Sequence, residues 1–381
     1  MMAKELAFVL INPATLAKER TGALISRLMT RTCLDLVGAR MFGPGPDLTK
    51  GFSELLGGLP GEESGLLAEY VQAHYGPSGG KVQRVLLLLL EGEDAVAKVA
   101  EAVGGLPGDG ATLRDSFGEW VKDGSGATVY FEPAVIAARN AAEASAILNL
   151  WADHSATDGG ILEQAVDLEL GAEAQTSLVM IKPDNFRFPG LRPGMILDLF
   201  TGTGLKLIGA KIHHMSVAEG EEFYGPVRDV LREKLVEPCG ARSVSALAKE
   251  FGFELPAEAA AGLGKVMGPL FGDEQFFELV KFMTGSRPDA VATGEKSKPG
   301  TATCLVLIYH GARAIEKIRK ALGPTNPANA TAGTVRKEFG TDIMINAAHA
   351  SDAPESVVRE MGIVHPEADA VSALIRQAYP R

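Results

Sequence analysis

Residues 177–186 read SLVMIKPDNF, and residues 6–15 read LAFVLINPAT. Each is a short aliphatic, β-branched run broken by a proline, the pattern of a strand that stops at a turn. Each leads into a glycine-led apolar helix pattern, GMILDLFT from Gly194 and GALISRLM from Gly22. Each then returns as a strand, LKLIGAKIH from Leu205 and LDLVGARMF from Leu34. The order strand, helix, strand therefore recurs at a spacing of about 171 residues, a domain length and not a solenoid period. Further on, CLVLIYHGARAIEKIRKALGP from Cys304 parallels VLLLLLEGEDAVAKVAEAVGG from Val85. Both are buried-strand runs followed by a helix with apolar residues three and four apart.

The repeat predicts two α/β (α+β) domains in tandem, each of the ferredoxin-like βαββαβ kind. Domain one is expected over 1–150 and domain two over 175–381. A connector over 151–174 contains Asp158-Gly159-Gly160 and a charged, Ala-rich helical stretch. Two insertions are expected in the second copy. One, over 225–272, reads as helical (VRDVLREKL, SVSALAKEFGF, AEAAAGLGKVM); the other, over 287–300, is rich in Gly, Pro, Ser and Lys and reads as a loop.

The net charge of -11 excludes a whole-chain basic footprint for nucleic acid. A few local Arg and Lys side chains still suffice to draw an anionic nucleotide into a cleft. The three cysteines, Cys33, Cys239 and Cys304, are dispersed, so neither a disulfide framework nor a zinc site is expected, and a reducing compartment fits. Pro13 interrupts the first apolar run early, against a signal peptide. The longest purely apolar stretch, Val85 to Leu90, is too short to cross a bilayer. The expectation is a soluble, cytoplasmic protein with neither membrane nor nucleic acid as a partner.

Chemistry concentrates in IMINAAHASDAPESVVRE, residues 343–360. A strand is expected to end at Asn346, with His349 just beyond it. Ser351-Asp352 then leads into a helix near Pro354, a residue suited to a first helical position, with Asp352 or Ser351 as its cap. Glu360 lies further along that helix and is placed to reach back to one imidazole nitrogen. A carboxylate there would fix the tautomer and leave the other nitrogen as nucleophile. Taken alone, the segment also reads as a surface histidine beside a helix cap.

The pattern N-x-x-H-x-S-D resembles the active-site signature of nucleoside diphosphate kinases, in which the histidine accepts a γ-phosphoryl group. Other matches follow in family order: Lys182-Pro183-Asp184, Tyr224, Phe276-Phe277 opening a helix, Arg319 with Thr325-Asn326-Pro327, and Gly333-Thr334-Val335-Arg336. Phe339 lies ten residues before His349, and Glu360 eleven after it. The resemblance implies a phosphotransferase that moves the γ-phosphoryl group of ATP to a nucleoside diphosphate by a ping-pong route through His349. It assigns Arg319, Thr325 and Arg336 to the phosphates, where the planar guanidinium fork matches phosphate oxygens. It places Lys182 and Tyr224 near the transferring group, Lys182 and Asn346 at the sugar 3′-hydroxyl, and Phe277 on the base. Ser351 would bond Glu360. Mg²⁺ would be held mainly through the nucleotide phosphates. Self-association, through the tandem domains or as a homo-oligomer, is also implied.

Some positions depart from the family pattern: Ala350 replaces a glycine, Ala332 a proline, and Ala347 and Ala348 bulkier aliphatics. In the first copy the lysine position is Asn12, the Arg319 position is Ala100, Arg114 survives, and no histidine occurs between His74 and His154. That copy is expected to be inactive and to pack on the second in place of another subunit. The alternative reading is a nucleotide-binding scaffold with little turnover.

Overall fold

A computed structural model describes residues 4–108, 110–166, 168 and 171–381. Asp167, Glu169 and Leu170 of the expected connector lie outside the described residues. The chain carries β1 (Glu5–Ile11), β2 (Asp35–Phe42), β3 (Val85–Gly92), a two-stranded ribbon of β4 (Glu119–Lys122) and β5 (Thr128–Glu132), and β6 (Val135–Ile136). It continues with β7 (Ala174–Ile181), β8 (Lys206–His213), β9 (Cys304–Ala312) and β10 (Ala348–Ala350). Outside the ribbon these strands form one eight-stranded sheet in the order β10-β7-β9-β8-β2-β3-β1-β6. Counted within its own half, each set of four runs fourth, first, third, second. That is the ferredoxin-like order expected from the repeat.

The central strands are long aliphatic runs because helices cover them and leave no solvated face. Every residue from Val85 to Leu90 is buried, as are Leu178 to Ile181 and Cys304 to Tyr309. The two halves meet at β2 and β8, which pair antiparallel with Arg40 opposite Lys211. Beside this seam the helices Thr21–Thr32 and Arg192–Thr201 pack through Gly22 and Gly194. A Cβ on Gly22 would lie 2.3 Å from the carbonyl oxygen of Gly194, and one on Gly194 would lie 2.3 Å from that of Gly22. This reciprocity is the mark of an approximate two-fold axis between repeats.

The repeat extends to backbone detail. Asp94 and Arg313, each just before a helix, both sit at positive φ (53° and 54°). Ala134 and Ala347, each just before the last strand of its half, do so too (62° and 70°).

Residues 1–213 and 305–381 make up one compact unit, and 214–304 a second. The second unit is helical. Its segments are Val217–Phe223, Gly225–Lys234, Val236–Phe251 and Ala257–Thr284. Gly264, Gly268 and Gly272 recur every fourth residue and let the last helix approach the backbone of Val236 and Arg232, where a Cβ would meet atoms at 2.3 to 2.8 Å. Phe276-Phe277 were expected to open a helix, but they lie well inside Ala257–Thr284. The glycine stripe is held by packing instead of acting as a break, and Pro269 is absorbed within the helix. Among the described residues no helix is long and apolar enough to cross a membrane.

Candidate active site

The predicted strand ending at Asn346 is absent, and His349 is itself the middle residue of β10. The cause is local: the Asp342 carboxylate accepts the backbone N–H groups of Met344 (2.8 Å) and Ile345 (2.7 Å), which folds 341–346 into turns. At Ala347 the backbone then enters the left-handed region, which costs a non-glycine residue roughly 1–2 kcal/mol. Three bonds hold it there. The Ala347 carbonyl accepts the Lys182 N–H (2.9 Å) and the Asn185 side-chain amide (2.8 Å), and Arg336 donates to the next carbonyl, Ala348 (3.3 Å).

The strand edge and the helix Pro354–Val364 bring three predicted residues together. His349 Nε2 lies 2.8 Å from Glu360 Oε2, and Ser351 Oγ donates to the same oxygen at 2.7 Å. Ser351 and Glu360 are buried, while the His349 side chain keeps 23% of its exposure. Pairing with a carboxylate places the ring proton on Nε2 and the in-plane lone pair on Nδ1. The helix begins at Ala353 without a side-chain cap, contrary to the expected capping by Ser351 or Asp352. Ser351 is committed to Glu360, and Asp352 accepts from Ser356 Oγ instead (2.7 Å). That bond, aided by the charges of Arg319 and His349, holds the Asp352 carboxyl below its ordinary value.

Lys182 and Asn346 are also brought together, both buried. Lys182 Nζ donates to Asn346 Oδ1 (2.8 Å) and to the Met344 carbonyl (3.2 Å). Asn346 Nδ2 in turn donates to the Thr325 carbonyl (3.1 Å), tying this pair to the exposed Thr325 loop. The buried Arg336 donates to the Gly323 carbonyl (3.0 Å) at the end of the helix Ala314–Leu322, which carries the half-buried Arg319. Asp184 sits next to this group with its side chain almost fully buried. Burial raises its carboxyl, opposed by the charges of Lys182 and Arg192.

Tyr224 and Phe277 belong to the second unit. Tyr224 is buried against Phe223, with ring centroids 4.9 Å apart. Phe277 is half-buried, with the guanidinium groups of Arg228 and Arg287 at 5.7 and 5.6 Å from its ring centre. Arg228 and Arg232 grip Asp273, whose carboxyl is held far below its ordinary value by those bonds. Sequence reasoning missed two features of the site. One is the strained Ala347, since alanine carries no signal for positive φ. The other is Arg359, which donates to the second oxygen of Glu360 at 3.1 Å.

A carboxylate-held histidine on a ferredoxin-like sheet edge, with buried Lys182 and Arg336 in adjoining segments, defines a class of protein suited to phosphoryl transfer. A family model described as nucleoside diphosphate kinase matches residues 273–370. A nucleoside diphosphate kinase of Cereibacter sphaeroides is 30% identical over 187 residues, covering 49% of this chain and 90% of that protein. One of Symbiobacterium thermophilum is 28% identical over 190 residues, covering 49% and 84%. A solved NDP kinase from Pyrobaculum aerophilum aligns with 51% of this chain and 100% of that one at 24% identity, with a TM-score of 0.33. The chain belongs to the nucleoside diphosphate kinase family.

Proposed function

We propose that this chain moves the γ-phosphoryl group of a nucleoside triphosphate to a nucleoside diphosphate, with His349 as the carrier. The observation that carries the reading is the hydrogen-bonded set of His349, Glu360 and Ser351. In the first half-reaction the Nδ1 lone pair forms a bond to the γ-phosphorus. The bond from that phosphorus to the β,γ-bridging oxygen breaks, and the nucleoside diphosphate leaves with the electron pair. In the second half-reaction a β-phosphate oxygen of the acceptor takes the phosphoryl group and the histidine is restored. Such transfers depend mainly on positioning and on neutralising phosphate charge.

The residues divide this work. Glu360 and Ser351 orient the ring, and Glu360 stabilises the proton on Nε2. The resemblance assigns Arg319, Thr325 and Arg336 to the phosphates, Lys182 and Tyr224 to the transferring group, Lys182 and Asn346 to the sugar 3′-hydroxyl, and Phe277 to the base. Mg²⁺ suits the site because Asp352 supplies a hard, ionised oxygen beside Arg319 and His349. The ion would be held mainly through the nucleotide phosphates and would supply charge neutralisation.

In this reading residues 1–150 and 175–381 are two copies of the domain, joined by 151–174. Only the second copy is active, and the first stands where another subunit would pack. The dispersed cysteines and acidic charge fit a cytoplasmic setting. The test is incubation with γ-labelled ATP. Acid-labile, base-stable label should appear on the protein and move to added nucleoside diphosphate. Equal labelling of the wild type and His349→Ala would end the assignment.

A further inference from the structure

Glu360 faces the histidine through one carboxylate oxygen. Here both oxygens are engaged. Oε2 takes His349 Nε2 and Ser351 Oγ, and Oε1 takes Arg359 Nη2 at 3.1 Å. The carboxylate is 4% exposed and the Arg359 side chain 38%. Arg359 and Glu360 are consecutive on the helix Pro354–Val364, and consecutive helical side chains do not normally face each other. The contact arises because the long arginine stem folds back along the helix while its head stays partly in water.

The first half of the chain provides an internal control. The two halves share a register here: the carbonyls of Ala134 and Ala347, both at positive φ, accept the N–H groups of Asn12 and Lys182. That register puts Ile136 at the position of His349, Ala138 at Ser351, Ala146 at Arg359 and Ile147 at Glu360. All four members of the network have changed together to apolar residues. Meanwhile one set of backbone-holding bonds persists. Arg114 bonds the carbonyls of Gly104 and Val135 as Arg336 bonds those of Gly323 and Ala348. Arg359 is thus replaced together with His349, Ser351 and Glu360.

We propose that Arg359 is a positioning residue for the phosphohistidine chemistry, acting through Glu360. This rests on the assignment of His349 as carrier. The guanidinium fixes the plane of the carboxylate and engages the oxygen that His349 and Ser351 leave over. A charge-assisted bond there holds the carboxylate in the orientation that accepts from the ring, which keeps the imidazole proton on Nε2. Without Arg359 the carboxylate can turn, and the ring then samples the wrong tautomer.

The experiment uses the full chain with Arg359→Ala and Arg359→Lys, and His349→Ala as reference. Single-turnover labelling from γ-labelled ATP should slow about tenfold in Arg359→Ala, equivalent to ~1.4 kcal/mol in the barrier. The KM for ATP and the melting temperature should stay put, and Arg359→Lys should recover part of the rate. Nitrogen-15 spectra of the His349 ring should show the Nε2–H tautomer in the wild type and a mixture in Arg359→Ala. Wild-type labelling with an unchanged tautomer in Arg359→Ala would overturn the proposal, as would a loss of rate that merely follows a lower melting temperature. Persistent labelling of His349→Ala would instead sink the assignment of the carrier. The tautomer spectra still decide the role of Arg359 in that case, because they need no turnover.

Discussion

The two ends of the eight-stranded sheet carry the same backbone and opposite chemistry. At the second-half end, Lys182 and Asn346 bond each other beneath a histidine held by a buried carboxylate. At the first-half end, Asn12 takes the lysine position, and Tyr75 donates to its side-chain oxygen at 2.6 Å. Glu132 sits buried beside it and accepts from Tyr70 (2.5 Å), from Asn12 (3.4 Å) and from the Ala134 N–H (2.8 Å). Burial and the Glu132 charge push the Tyr70 hydroxyl far above its ordinary value, so it remains a donor. A buried glutamate thus occupies the region where the other half gathers Lys182 and Arg336. The difference teaches that this backbone does not depend on the histidine network. The left-handed alanines, the arginine clamps and the reciprocal glycines remain in both halves, while the histidine network exists in one.

The comparison can be broken or sharpened experimentally. The largest effect is expected from Glu360→Gln, which keeps the shape and removes the charge that orients His349. Labelling from γ-labelled ATP should fall roughly 100-fold, the low end for a positioned proton-handling group. A fall of less than threefold would mean that the pair is structural. Next, the triple change Ile136→His, Ala138→Ser and Ile147→Glu writes the network into the first half. It should yield no label in a His349→Ala background, because Asn12 and Ala100 stand where Lys182 and Arg319 do. It should also destabilise the chain by ~3 kcal/mol or more in urea titration, since polar groups enter an apolar slot without a full set of partners. Recovered labelling would show that the halves differ less than their residues suggest.

A smaller effect is expected at the seam. Gly194→Ala drives a methyl group into the Gly22 carbonyl and the Ser26 side chain, and should cost about 1–3 kcal/mol by urea titration. No loss would mean that the helix pair opens freely. The smallest effect concerns Asp198, whose carboxyl accepts the N–H groups of Ala23 and Gly22 across the same seam. Burial outweighs those bonds and raises its carboxyl above 3.8. Between 3.8 and that raised value the folded protein holds the proton more tightly than the unfolded chain does. This group's contribution therefore increases stability as pH falls through the window. Asp198→Asn should lack that component. The urea midpoint of the wild type should gain on that of the variant as pH drops, and parallel pH curves would refute the assignment.

Much of this molecule could be read directly from its residues. Aliphatic runs ending at Pro13 and Pro183 marked equivalent strands, and the spacing from His349 to Glu360 put both on one site before any coordinates. The turns at 341–346 were less visible, because a single Asp342 side chain bends a segment, Ile343 to Asn346, whose composition reads as strand. The position of Phe277 within a long helix was hidden too. Glycines that look like breaks are retained when a neighbouring helix presses against them, and no pattern in one segment reports what another segment will press. Arg359 escaped notice because consecutive helix residues are not ordinarily partners.

The order of residues alone determined the repeat and the ferredoxin-like class, since these depend on local periodicity. The tertiary structure decided the rest. It joined β2 to β8 in one sheet, allowed the two seam helices to touch through bare glycine backbones, and closed a carboxylate between a histidine, a serine and an arginine. Those outcomes depend on distances between segments far apart in the chain, and such distances are set only when the whole core packs.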